Sequence, residues 1–400
     1  MKLLALFILS AAALTGENWP LFRGAGNSLT SAENLPLTWS TEENVRWEKE
    51  LNGYGQSSPV VWGNLVVVTY TEGEEKETLV VEGFDLKTGG SQWVYKQPSS
   101  APAPVSNYIS RSAPTPAIDA NLVYAFFESG DAICLNHQGE FAWKRSLQEE
   151  YGEFQGNHGL GSSPTLTQDA LVILIDHSGP SYLIAMNKTD GENRWKIDRP
   201  ERVSWSSPVV TGEPGEQQIF LSSNGVLQRY AADSGNLLWE QEGLDGNTVP
   251  SVTVAKNYVA IGSNKRGQNQ LFKMKLDSNE LEPVWQSSDQ ISAFSSPLIY
   301  GEYVYFVNKA GVVSCRSLAT GEELWKERLS SSCWTSAVGT GNRIYFFSND
   351  GATTVVESGP EYKELAKNSL PTDDKVYGVA FVNNAILIRS GSKLTCVSQP

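Results

Sequence analysis

The chain is poor in the residues that usually build metal, haem and thiol chemistry. It has four cysteines and three histidines among 400 residues. No two cysteines are adjacent, and the sequence contains no C-x-x-C, C-x-x-C-H or H-E-x-x-H motif and no EF-hand-like acidic loop. These absences argue against covalently attached haem, a structural zinc site and a standard calcium loop. We therefore predict no metal ligands.

Basic residues are also in short supply. The 31 lysines and arginines face 45 aspartates and glutamates, which gives a formal net charge of −14. Nucleic-acid binding relies on a basic surface, so a nucleic-acid partner is not expected. Helix-forming patterns are nearly absent, and beyond the N-terminus no apolar run is long enough to cross a bilayer. Runs of Val, Ile, Tyr and Phe bounded by Gly, Asn and Ser instead favour an all-β protein.

The first residues have the pattern of a secretory signal peptide. Lys2 precedes the apolar run Leu3–Leu9, and Ala11–Ala13 supplies small residues for cleavage. We predict that residues 1–16 are a signal peptide and that residues 17–400 form one exported domain, periplasmic or extracellular. No cysteine lies near the cleavage region, so a lipid anchor is not expected.

Seven tryptophans recur at intervals of 40 to 52 residues and indicate a repeat. They are Trp47, Trp93, Trp143, Trp195, Trp239, Trp285 and Trp325. A glycine stands four residues before five of them, at Gly89, Gly139, Gly191, Gly235 and Gly321. A period of this length, built from strand-like runs, is typical of a β-propeller.

A second phrase, which reads SSPVV, SAPTP, SSPTL, SSPVV and SSPLI in its clear copies, recurs in phase with the tryptophans. Clear copies lie at 57–61, 112–116, 162–166, 206–210 and 295–299, and degenerate copies at 248–252, 335–339 and 377–381. Each copy is followed by an apolar run, a turn, an alternating run and the tryptophan run, which predicts four strands, a to d. The sequence therefore predicts an eight-bladed propeller of four-stranded antiparallel blades.

The ring is predicted to close by pairing of an N-terminal strand with the last repeat unit. The eighth unit, residues 376–398, stops after its third strand, whereas Asn44–Leu51 resembles a fourth strand with no partners before it. Pairing of the two would complete blade eight and remove the open edges through which sheets aggregate. A monomer is expected.

The cysteines are predicted to be free and buried. Cys134, Cys315 and Cys396 occupy similar third-strand positions in different units, which should keep them apart. Export would permit oxidation. Cys315 with Cys333, in neighbouring units, is the one pair for which a disulfide is a reasonable alternative.

The tryptophan phrases resemble the docking motif of the pyrroloquinoline quinone (PQQ) propeller repeat. GFDLKTGGSQW at 83–93 and CRSLATGEELW at 315–325 match it well, and AMNKTDGENRW at 185–195 matches it fairly. The resemblance implies that large flat rings wedge between blades, with a structural role. The docking residues would be Trp93, Trp143, Trp195, Trp239 and Trp325.

The family that this repeat resembles contains both enzymes and scaffolds. Its quinoprotein dehydrogenases need PQQ in the channel, Ca²⁺ and a carboxylate base, and they commonly carry adjacent cysteines, which this chain lacks. Its scaffold propellers are similar to the outer-membrane assembly lipoprotein. We favour an exported non-catalytic scaffold without a cofactor that binds a protein or glycan partner. A PQQ- and Ca²⁺-dependent dehydrogenase is the alternative.

Propeller geometry predicts where a partner would bind. The d–a and b–c loops gather on one face, here called the top, and the a strands line the central channel. Residues three positions before each phrase's proline should ring the channel mouth, and two loops add histidines. The predicted ligand-binding residues are Gln56, Arg111, His158, His177, Trp205, Asn247, Phe294 and Trp334, and no catalytic residue is predicted.

Arg111 is the residue favoured most strongly for binding. A guanidinium can clamp a carboxylate or a quinone oxygen with paired donors. The alternative is that Arg111 only pairs with a neighbouring acidic loop, such as Glu128 or Glu149–Glu150.

Overall fold

The computed structural model describes residues 18–103, 111–156, 158–275, 278–287, 289, 291–292 and 294–399. The predicted signal peptide lies outside the described residues. Within them, the chain forms eight antiparallel blades of four strands around a central axis. No helix in this part of the chain is long and apolar enough to cross a membrane.

The strands follow chain order from a to d in the first seven blades. Blades one to four are Val60–Trp62, Leu65–Glu72, Thr78–Asp85, Ser91–Pro98; Ala117–Ile118, Leu122–Phe126, Asp131–Asn136, Phe141–Ser146; Thr165–Leu166, Ala170–Ile175, Ser181–Asn187, Asn193–Arg199; and Val209–Thr211, Gln218–Ser223, Val226–Ala231, Leu237–Glu242. Blades five to seven are Thr253–Ala255, Tyr258–Ile261, Gln270–Met274, Leu281–Gln286; Leu298–Tyr300, Tyr303–Val307, Val312–Ser317, Glu323–Arg328; and Val338–Thr340, Arg343–Phe347, Ala352–Glu357, Glu364–Ser369.

Blade eight is assembled from both ends of the chain. Its a to c strands are Val376–Val382, Ala385–Ser390 and Lys393–Ser398, and its outer strand is Val45–Glu50. The outer strand runs antiparallel to the third, with Trp47 opposite Cys396. The structure confirms the predicted eight-bladed all-β propeller closed by an N-terminal strand.

Three short elements lie outside the blades. A two-residue strand, Asn18–Trp19, extends the sheet of blade one. One helical turn spans Arg23–Gly26, with non-helical torsions inside it, and a second spans Leu147–Tyr151.

The tryptophans of the outer strands reach from one blade to the next. The indole N–H of Trp143 donates to the carbonyl of Lys188 at 2.8 Å, for example. The same bond joins Trp47 to Leu86, Trp93 to His137, Trp195 to Ala232, Trp285 to Leu318 and Trp325 to Gly359. Trp143 and Trp325 are buried, whereas Trp93, Trp195 and Trp239 are partly buried.

The repeated glycines make room for these rings. Gly191 has φ +74°, and a Cβ there would lie 2.7 Å from the ring of Trp143, in the preceding blade. A side chain at this position would therefore clash with the neighbouring blade as well as strain the turn. Blade seven has no tryptophan in its outer strand, where Ala366 stands instead.

A second set of bonds joins the inner strands, and we call it the hydroxyl belt. A backbone N–H in one blade donates to a Ser or Thr hydroxyl in the next, at 2.8–3.1 Å. The belt runs through Ser58, Thr115, Ser163, Ser207, Ser251, Ser296 and Ser336. In blade eight the position is Gly378, where a Cβ would lie 2.0 Å from the hydroxyl oxygen of Ser58.

Residues 18–39 form a plug across the bottom of the channel. The Pro20 carbonyl accepts from Ile118 N in blade two, and Ser28 and Thr30 bond to Gly339 in blade seven. Trp39 N donates to the Asn368 side chain at 2.9 Å. The plug therefore closes one end of the channel.

All four cysteines are free and buried. Burial raises the pKa of the Cys315 and Cys333 thiols to about 12. At neutral pH both are therefore un-ionised thiols, which makes them poor nucleophiles.

Ring closure can be tested by two nested truncations. Removal of the chain through Leu51 deletes the outer strand of blade eight and leaves Lys393–Ser398 as an open edge, so we expect oligomers or aggregates in size-exclusion chromatography with light scattering. Removal of residues 18–42 deletes the whole plug but keeps Val45–Glu50, and should leave a less stable monomer. A monomeric longer truncation with unchanged melting temperature would contradict the closure argument.

The close contact between Gly378 of blade eight and Ser58 of blade one can be tested with two glycine substitutions. Gly378→Ala forces a methyl group against Ser58, so we expect a loss of roughly 1–3 kcal/mol in the free energy of unfolding, as for overpacked cores. At Gly359 a Cβ meets nothing within 4 Å. Gly359→Ala should therefore change stability by less than about 0.5 kcal/mol. Equal denaturation midpoints for the two variants would argue against close packing between blades eight and one.

Candidate functional site

The top end of the channel is an open funnel of about 350 Å³. Seven of its lining residues stand two positions before the hydroxyl belt, one in each of blades one to seven. They are Gln56, Ala113, Gly161, Trp205, Val249, Phe294 and Trp334. Blade eight contributes Tyr377, one position nearer to the belt, because an irregularity in pairing between Val376 and Gly378 shifts its register. The register of the belt therefore determines which side chains meet at the mouth.

The plug forms the floor of the funnel. Phe22 lines the cavity, and Arg23 beside it is fully buried among inner strands. The Arg23 guanidinium donates to the carbonyls of Val252 at 3.0 Å and Pro297 at 3.3 Å. Burial lowers the pKa of Arg23 to about 9, so the side chain keeps its charge at neutral pH. Phe22 thus closes the funnel from below, and the buried charge of Arg23 lies next to it in the chain, outside the cavity lining.

One half of the mouth is aromatic. Phe294 and Trp334 stack with ring centroids 4.6 Å apart, and Trp334 meets Tyr377 edge-on at 5.7 Å. Tyr377 in turn lies 6.4 Å from Tyr54. We call Phe294, Trp334, Tyr377 and Tyr54 the aromatic arc. Trp205 adds a further ring across the cavity.

The arc ends in a hydrogen-bonded carboxylate. Tyr54 and Tyr377 both donate to Asp374, and their hydroxyl oxygens lie 2.8 Å apart. Burial opposes ionisation of Asp374, but the hydrogen bonds from the tyrosines prevail and lower its pKa. Burial, with the bond to Asp374, raises the pKa of Tyr54. The cluster is therefore a carboxylate held by two neutral phenols.

Arg111 lies beside the mouth and not in its lining. Its guanidinium is centred 4.4 Å above the ring of Tyr54, a cation–π contact. Its backbone N–H donates to the side chain of Gln56, and its carbonyl accepts from Gln56 N, both at 3.0 Å. Two of the acidic partners considered for it are engaged elsewhere, Glu128 with Lys76 and Glu150 with Arg145.

In blades two and five, the residue that lines the mouth lies two positions after the predicted one. The phrase of blade two contains two prolines, and the belt hydroxyl of Thr115 identifies the second as the structural one. Counting back from it gives Ala113 and not Arg111. In blade five the belt hydroxyl is Ser251, after the proline and not before it. The mouth residue there is consequently Val249, and the placement of Asn247 at the mouth was wrong.

Asn247 and His177 both connect loops. Asn247 is buried, and its side-chain amide donates to the carbonyls of Ser223 and Val226 at 2.9 Å, which ties the loop before blade five to a turn of blade four. His177 is likewise buried, in the b–c turn of blade three, and its Nδ1 accepts from Gln155 N at 2.9 Å. Neither side chain lines the funnel, contrary to the prediction.

His158 and Trp205 do lie together at the mouth. Their ring centroids are 5.9 Å apart, and both line the cavity. The indole N–H of Trp205 donates to the Gly159 carbonyl at 2.9 Å. The long loop before blade three is thereby joined to blade four.

Sequence reasoning missed Phe22, Tyr377 and Asp374. Phe22 precedes the repeats, so no periodic signal marks it. Tyr377 belongs to the weak copy of the Ser-Pro phrase in blade eight, and a proline-based count does not reach it. Asp374 is recognisable only through its contacts with the two tyrosines.

The repeats identify the family. A family model described as outer membrane protein assembly factor BamB matches residues 28–179 and 138–358, which is most of the chain. The chain belongs to this PQQ-like repeat propeller family. A relative, the outer membrane protein assembly factor BamB of Shewanella oneidensis, is 22% identical over 311 residues, covering 77% of this chain and 71% of that protein.

Solved structures of a BamB protein and of a methanol dehydrogenase share the fold. BamB from Moraxella catarrhalis matches with a TM-score of 0.66 and 13% identity, over 88% of this chain and 99% of that one. A europium-containing methanol dehydrogenase matches with a TM-score of 0.69 and 10% identity, over 94% and 90%. At such identities the likeness concerns the fold alone, so function has to be argued from the site.

The donor set at the mouth does not fit the calcium site that a PQQ-like dehydrogenase needs. Among the described residues, no group of three or more His, Cys, Asp and Glu side chains is arranged to hold a metal ion. Asp374, beside the arc, already accepts from two tyrosines. What the mouth offers chemically is a set of aromatic faces, one amide, one imidazole and the serines Ser207, Ser251 and Ser296, which suit binding.

The role of Arg111 can be tested by its removal. Arg111→Ala deletes the cation above Tyr54, so we expect a loss of roughly 0.5–2 kcal/mol in unfolding free energy, the range for such contacts. Arg266, exposed on a top turn of blade five, provides the control, and Arg266→Ala should leave the melting temperature unchanged. Equal melting temperatures for the two variants would mean that the Tyr54 contact adds no stability.

Proposed function

We propose that this chain is an exported, non-catalytic propeller that binds a protein partner at the top mouth of its channel. The observation that carries the proposal is the aromatic arc, of which Phe294, Trp334 and Tyr377 line one side of the funnel. The arc differs from blade to blade, although the belt beneath it repeats. A purely structural mouth would not require this variety.

The chemistry of the arc supports a protein partner. Lys309 lies 6.0 Å above the ring of Phe294, and Lys375 lies 5.3 Å above Trp334. Clustered aromatic rings with a charged rim are typical of the residues that contribute most to protein–protein affinity. The two BamB relatives are named as assembly factors or as BamB, which is consistent with a scaffold role. Sugars also stack on aromatic rings, so a glycan is the second partner class to test.

A photocrosslinking experiment can locate the binding face. A photoreactive amino acid at Lys309 should form adducts with a protein in cells, whereas the same group at Leu237, exposed on the outer wall, should not. Trp334→Ala should reduce the Lys309 adduct at least tenfold, because it removes the centre of the arc. Phe141→Ala, which removes an exposed ring from blade two, is the matched control.

Three outcomes would count against the proposal. Equal adducts from Lys309 and Leu237 would mean that the mouth is not selective. Adducts that map to the bottom face, around His137, would place the site on the wrong side of the ring. Capture of labelled glycans without any protein adduct would mean that the partner is a glycan and not a protein.

The dehydrogenase alternative has its own test. Purified protein mixed with PQQ and Ca²⁺ should show neither a shifted quinone absorbance nor a raised melting temperature, because no carboxylates among the described residues are arranged to hold calcium. A stoichiometric rise in melting temperature that needs both additives would favour the enzyme instead.

A further inference from the structure

The loop before blade three is fastened by a histidine that acts as an acceptor. We call residues Phe154–Gly156 and His158–Gly161 of this loop the latch. The Nδ1 atom of His177 accepts from two backbone N–H groups, those of Gln155 at 2.9 Å and Gly179 at 3.1 Å. The ring of Phe154 packs on the imidazole at 5.2 Å. The latch is thereby held to the b–c turn of blade three.

This arrangement requires a neutral imidazole. A ring nitrogen that accepts hydrogen bonds has no proton, and both nitrogens of the imidazolium carry one. Protonation of His177 would place a proton on Nδ1, which would then face the N–H groups of Gln155 and Gly179 with no acceptor between them. The contact cannot survive in its present form once the ring is charged.

The other end of the latch belongs to the mouth. The Gly159 carbonyl accepts from the Trp205 indole, while His158 and Gly161 line the funnel. Leu160, between them, is buried. Movement of the latch away from His177 would thus loosen part of the mouth wall.

The charged groups around His177 are few. Asp176, the preceding residue, is paired with Arg199 at 3.0 Å in the interior. Burial lowers the pKa of His177 from its ordinary value near 6.5, and this outweighs the opposing effects of the Pro180 and Gln155 backbones and of the charges on Asp176 and Glu201. Since the released loop exposes His177 to water, where its pKa is ordinary, acid favours release.

We propose that His177 is a pH-sensitive clasp, which holds the latch against blade three when neutral and releases it on protonation, so that the mouth opens in acid. The role of this opening in partner binding rests on the proposed function. The clasp itself depends only on contacts within the chain.

Hydrogen exchange of the isolated protein tests the clasp. Exchange of latch amides, measured by mass spectrometry and corrected for the intrinsic rate at each pH, should accelerate up to about tenfold between pH 7.5 and 5.5, the limit for release of a group with an ordinary histidine pKa. Peptides from the strands of blade three should stay equally protected. Unchanged latch protection in the wild type would overturn the proposal.

Histidine variants assign the effect. The chain has three histidines, so His158→Gln and His137→Gln serve as controls that should keep the full acceleration. His177→Gln retains a neutral acceptor and should abolish the pH response. Persistence of the response in His177→Gln, or its loss in His158→Gln, would rule out the clasp. If His177→Gln does not fold, the other two variants and the wild-type profile still decide the question.

The imidazole titrations provide an independent readout. Three Cε1–H signals, assigned by their loss in the variants, can be titrated, and the signal of His177 should give a pKa below 6.5. An ordinary pKa for His177 would contradict the clasp. These measurements use no partner, so a negative crosslinking result would remove the proposed function and leave the clasp standing.

Discussion

The structure depends on one bond that recurs between successive blades from blade one to blade seven, in which a backbone N–H donates to a hydroxyl of the next blade. A bond at this point needs a small side chain with an oxygen at one register, which is why serine or threonine recurs there. Because strand register is fixed by the bond, the side chain two positions earlier must point into the channel mouth. The mouth residues therefore differ between blades, whereas the hydroxyl belt that positions them repeats in blades one to seven.

The junction between blades seven and eight lacks both kinds of inter-blade contact. Ala366 replaces the tryptophan, and Gly378 replaces the belt hydroxyl. The plug spans this weak junction. Trp39 stacks with Tyr345 of blade seven at 6.5 Å, and Trp19 lies 5.9 Å from Phe381 of blade eight. Residues that close the channel therefore also stabilise the point where the repeat is weakest.

The fold was predictable because its signals repeat. Eight copies of one pattern average out local ambiguity, and the missing outer strand of the last unit identified its substitute, Asn44–Leu51. The mouth was predictable only in part. Gln56, Gly161, Trp205, Phe294 and Trp334 follow from the count, but the count failed where a phrase held two prolines or a displaced one. The hydrogen bond to Thr115 places Ala113 and not Arg111 at the mouth, and the residue types alone do not reveal that bond. Plug residues follow no period at all.

The exchange of chain ends has a consequence for how the protein folds. Blades one to seven form from contacts near in sequence, but Glu48 and Thr395, in the closing pair of strands, are 347 residues apart. Bringing such distant segments together costs about 5 kcal/mol in loop entropy if the intervening chain is unfolded, and far less once seven blades have curved it into an arc. Synthesis from the N-terminus leaves Val45–Glu50 without a partner until the last residues emerge. Closure is therefore a late event, and the strand Val45–Glu50, which comes before all other blade strands in the chain, is among the last to be paired.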